Sequence, residues 1–100
     1  MKLNVTFRHF QSTQNEFNEI AKVAADKFSK FYDKILSVDI EFNEDVNKKV
    51  HISVHVDGAN FDATESSEDF KKSLAIAEDK IVTQIKKWKE KKNSHKVGLE

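Results

Sequence analysis

Hydrophobic and polar residues alternate along four stretches of the chain, and this period of two is typical of half-buried β-strands. The first stretch covers residues 2–8, where Leu3, Val5 and Phe7 share one face. The other three follow one another, with apolar positions at Leu36, Val38, Ile40, Phe42, Val50, Ile52, Val54, Val56, Ala59, Phe61 and Ala63. Between the last two stretches, Asp57–Gly58 predicts a hairpin with a type I′ turn, because glycine tolerates the positive φ that this turn requires.

Two other stretches carry apolar residues at spacings of three and four, which predicts amphipathic helices with one apolar stripe each. The first stripe consists of Phe17, Ile20, Ala21, Ala24, Phe28 and Phe31. The second consists of Phe70, Leu74, Ala77, Ile81, Ile85 and Trp88. Thr13 and Glu16 have the spacing of a capping box at the start of the first helix. Ser66 or Ser67 is expected to cap the second helix, which is expected to fray beyond Lys92.

The predicted element order, β-α-β-β-β-α, defines an α+β fold. Every strand has one apolar face and every helix one apolar stripe, so the simplest arrangement has two layers. We expect a two-layer sandwich in which two helices pack on one face of a four-stranded mixed sheet, with the first helix as a right-handed crossover. Residues 1–92 are expected to form a single domain. Residues 93–100 are expected to be a flexible tail that ends in a tag-derived Leu99–Glu100.

The composition excludes several classes of site. Among its 100 residues the chain has no cysteine, which excludes disulfides and thiolate chemistry and favours a reducing cytoplasmic compartment. It has two glycines and no proline, so a glycine-rich phosphate loop is excluded. No stretch approaches the roughly 18 apolar residues of a membrane-spanning helix, so no partner inside a membrane is expected.

The histidines offer the best chance of a metal site. His51 and His55 share the polar face of one strand, near Asp39, Glu41 and Asp62 of its neighbours. Residues four apart on a strand are about 13 Å apart, too far for one ion to bridge. The pattern favours cross-strand charge pairs on a solvated sheet face. The sequence therefore predicts no metal site, no catalytic residue, no cofactor and no small-molecule substrate.

Charge is strongly segregated along the chain. Seventeen basic and seventeen acidic residues give a formal net charge of zero, yet residues 80–96 contain seven lysines and one acid. On a helical wheel, Lys80, Lys87 and Lys91 share one flank of the second helix. Lys27, Lys30 and Lys34 occupy the corresponding flank of the first helix. Lys86 and Lys89 extend the positive charge around the last turns of the second helix.

The helix dipole favours one or two cations near a C-terminus, but the mutual repulsion of so many lysines opposes folding. A phosphate backbone would relieve that repulsion through counterion release. We therefore predict binding to structured RNA through its phosphates and shape, while an acidic membrane or protein surface stays open. The predicted RNA-binding residues are Lys27, Lys30, Lys34, Lys80, Lys86, Lys87, Lys89 and Lys91.

Several segments also carry a family resemblance that covers residues 1–92. They are LNVT near the start, FYDKI at the end of the first helix, VHVDG before the hairpin, and SEDFKKSLAIAEDKIVTQIKKWKEKK in the second helix. The most specific pattern is Asp69-Phe70, Leu74, Asp79-Lys80-Ile81, Gln84-Ile85, Lys87, Lys89 and Lys91. Together with the element order, these segments resemble the ribosome hibernation promoting factor family, which includes the ribosome-associated translation inhibitor and was once called sigma-54 modulation protein.

The resemblance implies a non-enzymatic bacterial protein of the cytoplasm that acts in stationary phase or stress. It would bind the small ribosomal subunit and block the channel that mRNA and tRNA occupy, thereby inhibiting translation. In the family, basic side chains of both helices contact ribosomal RNA, and matching basic positions here are Lys27, Lys80, Lys87, Lys89 and Lys91. The chain resembles the short family form, expected to be monomeric when free.

Two alternatives remain from the sequence. A general structured or double-stranded RNA-binding module has a similar layout of one sheet and two helices. A small α+β enzyme is the other, although the sequence offers no identifiable pocket with a perturbed carboxyl group or histidine. Ala24 and Thr83 also stand where members of the family often carry a basic residue.

Overall fold

The fold consists of one four-stranded sheet and two helices. The computed structural model describes residues 1–11 and 13–98, with side chains through Lys91. The elements are β1 (Lys2–Arg8), α1 (Gln14–Phe31), β2 (Ile35–Glu44), β3 (Lys48–Val56), β4 (Ala59–Ser67) and α2 (Phe70–Gly98). β1 is parallel to β2, the other pairs are antiparallel, and the spatial order is β1-β2-β3-β4. The predicted α+β sandwich with a mixed sheet is confirmed.

The core lies between the sheet and both helices, as the two apolar stripes predicted. Every second residue of β2, β3 and β4 is buried over much of their length, and these residues meet the buried stripes of α1 and α2. Phe42 of β2 is fully buried, with its ring centroid 5.3 Å from that of Phe17 and 5.7 Å from that of Phe70. Phe10, in the loop after β1, joins this cluster at 5.2 Å from both Phe17 and Phe70.

α1 and α2 lie side by side and run in the same direction, because each returns antiparallel to the strand before it. At their first turns Glu16 Oε1 lies 3.1 Å from Lys71 Nζ. Nearer the end of α1, Lys27 Nζ lies 3.5 Å from Oε1 of Glu78, which is in the first half of α2. α1 ends at Phe31, whereas α2 continues well past that level. Because Lys86 and Lys89 contact Phe31, the last residue of α1, only the part of α2 beyond Lys89 projects past its partner helix.

One strand departs from the predicted alternation. Leu36 was expected on the apolar face of β2, but it is 59% exposed while Ile35 is buried. The pairing with β3 shifts between Ile35 and Ser37, so one extra residue is inserted opposite Val56 and His55. Such a bulge moves a side chain to the other face of the sheet. The alternation resumes at Val38, which is fully buried.

The Asp57–Gly58 turn connects β3 to β4 as predicted, with Val56 paired to Ala59. Its predicted type is wrong. Gly58 has φ +89°, but among the described non-glycine residues only His9 has a positive φ, so Asp57 does not. A type I′ turn needs positive φ at both central residues. Only Gly58 therefore requires the conformational freedom of glycine.

The helix ends also differ from the predictions. Thr13 is the N-cap of α1, but its side chain makes no capping hydrogen bond. Ser66 and Ser67 are not caps: both pair with β3, and the Asp69 carboxylate instead accepts the Lys71 amide hydrogen at 3.1 Å. α2 extends to Gly98, and no glycine or proline interrupts it before that residue, while fraying beyond Lys92 and a flexible tail over residues 93–100 stay predictions. The backbone of residues 93–98 is thus helical, and Leu99–Glu100 lies outside the described residues.

Candidate nucleic-acid interface

Four of the predicted lysines surround the C-terminal end of α1. We call Lys30, Lys34, Lys86 and Lys89 the α1-end cluster. Lys89 Nζ donates a 2.7 Å hydrogen bond to the carbonyl oxygen of Phe31, and Lys86 Nζ lies 5.1 Å from the centroid of the Phe31 ring. Lys30, Lys34 and Lys89 line one shallow groove with Tyr32. The negative end of the α1 dipole favours cations here, so these lysines also stabilise the helix end.

Three other lysines lie on the opposite flank of α2, next to β4. We call Lys80, Lys87 and Lys91 the β4-side lysines. Lys80 forms an ion pair with Glu65 of β4. Lys87 and Lys91 lie further along and line a groove with Phe61 of β4. Spacings of seven and four residues place all three on the same side of the helix.

Lys27 belongs to neither the α1-end cluster nor the β4-side lysines. It lies between the two helices, where its ammonium group contacts the half-buried carboxylate of Glu78 at 3.5 Å and that of Asp79 at 4.0 Å. Burial raises the pKa of Glu78, and the neighbouring Lys27 partly offsets that rise. Lys27 therefore holds α1 against α2, which the sequence did not indicate.

The lysines do not form the single ridge across both helices that the helical wheel predicted. The α1-end cluster and the β4-side lysines lie on opposite flanks of α2, because the flank opposite α1 faces β4. An α-helix with its side chains is only about 10–12 Å across. Positive charge therefore surrounds the second half of α2 rather than covering one flat surface.

Most of this charge is not neutralised within the described part of the chain. Lys27 and Lys80 have carboxylate partners, as does Lys71 at the other end of α2. No described carboxylate forms an ion pair with the remaining predicted residues, Lys30, Lys34, Lys86, Lys87, Lys89 and Lys91. These six are the cations best placed to bind an external anion.

The groove beside the β4-side lysines contains aromatic side chains. This aromatic groove, of about 580 Å³, is lined by Phe61, Gln84, Lys87, Trp88, Glu90 and Lys91. Trp88 is half-buried, with its ring centroid 5.6 Å from that of Phe61 and 5.0 Å from that of Tyr32. The sequence assigned Trp88 to the core stripe. Its position between Lys87 and Lys91 was the available signal for a mixed aromatic and cationic site.

The outer face of the sheet carries the predicted cross-strand polar pairs. His51 Nε2 lies 3.2 Å from Asp62 Oδ1, and His55 Nε2 lies 3.1 Å from Asp39 Oδ2. A hydrogen bond to Asn60 and the nearby Asp39 carboxylate hold the pKa of His55 above its usual value, partly offset by burial. Among the described side chains, which run through Lys91, no three histidine or acidic groups are close enough to hold a metal ion.

The family model described as sigma 54 modulation protein / S30EA ribosomal protein matches residues 3–93. The chain belongs to this family. The match spans α1, most of α2 and the whole sheet except Lys2, and it includes every lysine of the two groups. Membership in the sigma 54 modulation / S30EA family indicates a ribosome-associated factor, and it agrees with the resemblance seen in the sequence.

Solved structures share the fold of this family member. A ribosomal subunit interface protein from Coxiella burnetii has a TM-score of 0.73 at 21% identity, covering 90% of this chain and 99% of that one. The N-terminal domain of Protein Y from Thermus thermophilus has a TM-score of 0.75 at 18% identity, covering 87% and 94%. A search of curated proteins finds no match. In the described part of the chain, no helix is long and apolar enough to cross a membrane.

Proposed function

We propose that this protein is a ribosome hibernation factor that binds the small ribosomal subunit and blocks the channel of mRNA and tRNA. The observation that carries the proposal is the charge around the second half of α2. Six exposed lysines that form no ion pair with a described carboxylate gather there and at the adjoining end of α1. Ribosomal RNA supplies phosphates at the density needed to neutralise them, with release of counterions.

Inhibition would be steric and would need no catalytic group or cofactor. The part of α2 beyond Lys89 projects past the end of α1, so it can enter an RNA-lined cavity while the sheet stays outside. Among the described side chains of α2, Ile85 is the last that is fully buried, and those after it are half-buried or exposed. Charge in this segment is therefore available for binding with little cost to the core. The protein would act in the cytoplasm, as a monomer when free.

The names of the structural relatives support this proposal. One is called a ribosomal subunit interface protein. The family description likewise refers to a ribosomal protein. The interface between the subunits is where mRNA and tRNA lie, so a protein seated there would compete with both.

Co-sedimentation with separated small and large ribosomal subunits tests the binding partner. We expect the wild type to pellet with the small subunit, and K87E/K91E to lose binding at least tenfold because two cations become two anions. K49E/K72E is the matched control, since it makes the same charge change at exposed positions outside both lysine groups. Equal loss in both variants, or wild-type binding by K87E/K91E, would contradict the proposed surface.

Competition tests the blocked channel. Small subunits filled beforehand with mRNA and a P-site tRNA should bind the protein far more weakly than empty subunits. Undiminished binding to filled subunits would exclude channel blocking. A free RNA duplex that binds as tightly as the small subunit would instead favour a general RNA-binding module.

A further inference from the structure

We propose that the aromatic groove binds an unpaired nucleotide of single-stranded RNA, with its base against Trp88 and its phosphates on Lys87 and Lys91. This inference rests on the proposed function, which supplies RNA as the partner. It adds a specific subsite and the chemical form of the RNA that the subsite takes.

The floor of the groove is apolar and aromatic. Phe61 is 5% exposed and supports the indole of Trp88 at 5.6 Å, in an edge-to-face arrangement with an interplanar angle of 70°. Tyr32 supports the indole from the α1 side at 5.0 Å and 84°. The two supporting rings restrict the orientation of the indole, while part of it stays exposed. A held aromatic ring binds a nucleobase with little loss of its own freedom, and every base has a π-face to offer.

The rim of the groove is cationic on the side that faces solvent. Lys87 and Lys91 are exposed, lie one helical turn apart, and have no described carboxylate partner. They can therefore contact successive phosphates of one strand. Glu90 is the acidic residue of the rim, and it disfavours a phosphate directly beside it. Aromatic floor and paired cations together are the combination that single-stranded nucleic-acid sites use.

Gln84 defines the near end of the groove. Its Nε2 donates a 2.7 Å hydrogen bond to the backbone carbonyl oxygen of Asp62 on β4. This bond closes the space between α2 and the sheet edge, so the groove opens toward the C-terminal half of α2. An unpaired base can enter there. The faces of a paired base are already stacked inside its duplex, so a duplex can reach only the lysines.

Trp88 provides a direct probe, because it is the only tryptophan of the chain. We expect a short oligouridine to quench or shift its fluorescence saturably, whereas a blunt RNA duplex of the same length causes much less change. The proposal would be overturned by an unchanged spectrum at concentrations that saturate binding of labelled oligouridine. An equal change with the duplex would also overturn it.

Two sets of variants separate stacking from charge. K87A/K91A should reduce the slope of log affinity against log salt by about 1.4, because each phosphate contact of a single strand contributes about 0.7. K49A/K72A, the matched control, should leave the slope unchanged. W88L keeps an apolar side chain against Phe61 and should weaken oligouridine binding at least about fivefold. A thermal melt checks that W88L is folded, and W88F should retain more affinity than W88L. Wild-type affinity in folded W88L would refute the stacking.

The same protein samples distinguish failure of this inference from failure of the proposed function. Co-sedimentation with the small subunit, but no fluorescence response to oligouridine, would overturn the subsite and leave ribosome binding intact. A saturable response without co-sedimentation would support the subsite and refute the ribosomal role.

Discussion

Gln84 of α2 is hydrogen-bonded through its side chain to the main chain of Asp62 on β4, with Nε2 2.7 Å from the carbonyl oxygen. β4 is an outer strand of the sheet, so one edge of it has no neighbouring strand. The bond satisfies a backbone group at that edge and fixes α2 beside it. It also places Gln84 at the end of the aromatic groove.

Replacing Gln84 by leucine should therefore destabilise the protein. The loss of one hydrogen bond at a partly exposed site lowers the free energy of unfolding by about 0.5–1.5 kcal/mol. Urea unfolding measures the change. T83A is a suitable control, because Thr83 is exposed on the same turn and its hydroxyl only bonds back to Asp79 of its own helix at 2.9 Å. Equal stability of Q84L and wild type would show that the edge contact contributes nothing.

Lys27 is predicted to stabilise the helix pair only while Glu78 is ionised. K27A leaves the half-buried carboxylate of Glu78 without its nearest cation, so we expect a loss of about 1 kcal/mol or less near neutral pH. Burial raises the pKa of Glu78, so its carboxyl group becomes neutral early as pH falls. The effect of K27A should then shrink at acidic pH.

The control for Lys27 is Lys30 on the same helix, which is exposed and has no ion pair among the described residues. In urea unfolding, K30A should remove only the interaction with the helix dipole, about 0.3–1 kcal/mol, and by the same amount at both pH values. A loss in K27A that is independent of pH would assign its role to packing of the aliphatic part of the side chain rather than to charge.

Gly58 should tolerate substitution only at a backbone cost. Its φ of +89° is unfavourable for residues with a side chain, yet a Cβ atom there would meet no other atom within 4 Å. G58A should therefore lower the free energy of unfolding by about 1–2 kcal/mol. G58N should cost less, since asparagine adopts positive φ more readily. Thermal or urea unfolding of both variants checks the order, and equal losses would argue against a backbone origin.

The His55 network should stabilise the protein more in acid than in base. Because its pKa is raised in the folded state, its contribution is complete below the unfolded value of about 6.5 and is lost as pH rises through the folded value. H55Q should therefore lower the melting temperature more at about pH 5.5 than at about pH 8.5. NMR titration of the imidazole gives the folded pKa directly. A folded value at or below the usual one would refute the network.

Asp62, on the same face of the sheet, should show the opposite dependence. The Ser53 hydroxyl, which donates to it at 2.7 Å, and the neighbouring His51 hold the pKa of Asp62 below its usual range, partly offset by burial. Its contribution is present above the unfolded value and lost as pH falls through the folded value. D62N should therefore lower the melting temperature near neutral pH and have little effect in strong acid. Thermal melts over that range, with S53A as the partner variant, test the assignment.

The sequence was informative wherever one pattern decided the structure locally. The stripes of α1 and α2 and the alternation of β1, β3 and β4 specify their buried faces, because a helix repeats every 3.6 residues and a strand every two. Leu36 shows where this fails. A bulge depends on how β2 pairs with β3, which the alternation within one strand does not encode. The N-cap of α2 is similar: Ser67 pairs with β3, so the cap falls to Asp69.

The candidate site, too, was predictable from the sequence only in part. Counting charges along residues 80–96 was enough to place a basic surface on the second half of α2. A helical wheel cannot show which flank of α2 faces α1 and which faces β4. Which element faces each flank depends on the tertiary structure. As a result, the predicted ridge is divided into two groups, Lys27 contacts the other helix, and Trp88 lies beside Phe61.

By itself, the sequence determined the order of elements, the two-layer fold and the basic character of α2, because periodicity and composition are read residue by residue along one chain. Only the tertiary structure decided which lysines carry a carboxylate partner and which line an aromatic groove. Those relationships join residues far apart in the chain, such as Lys80 with Glu65 and Lys89 with Phe31, and they arise only when α2 packs on the sheet beside α1.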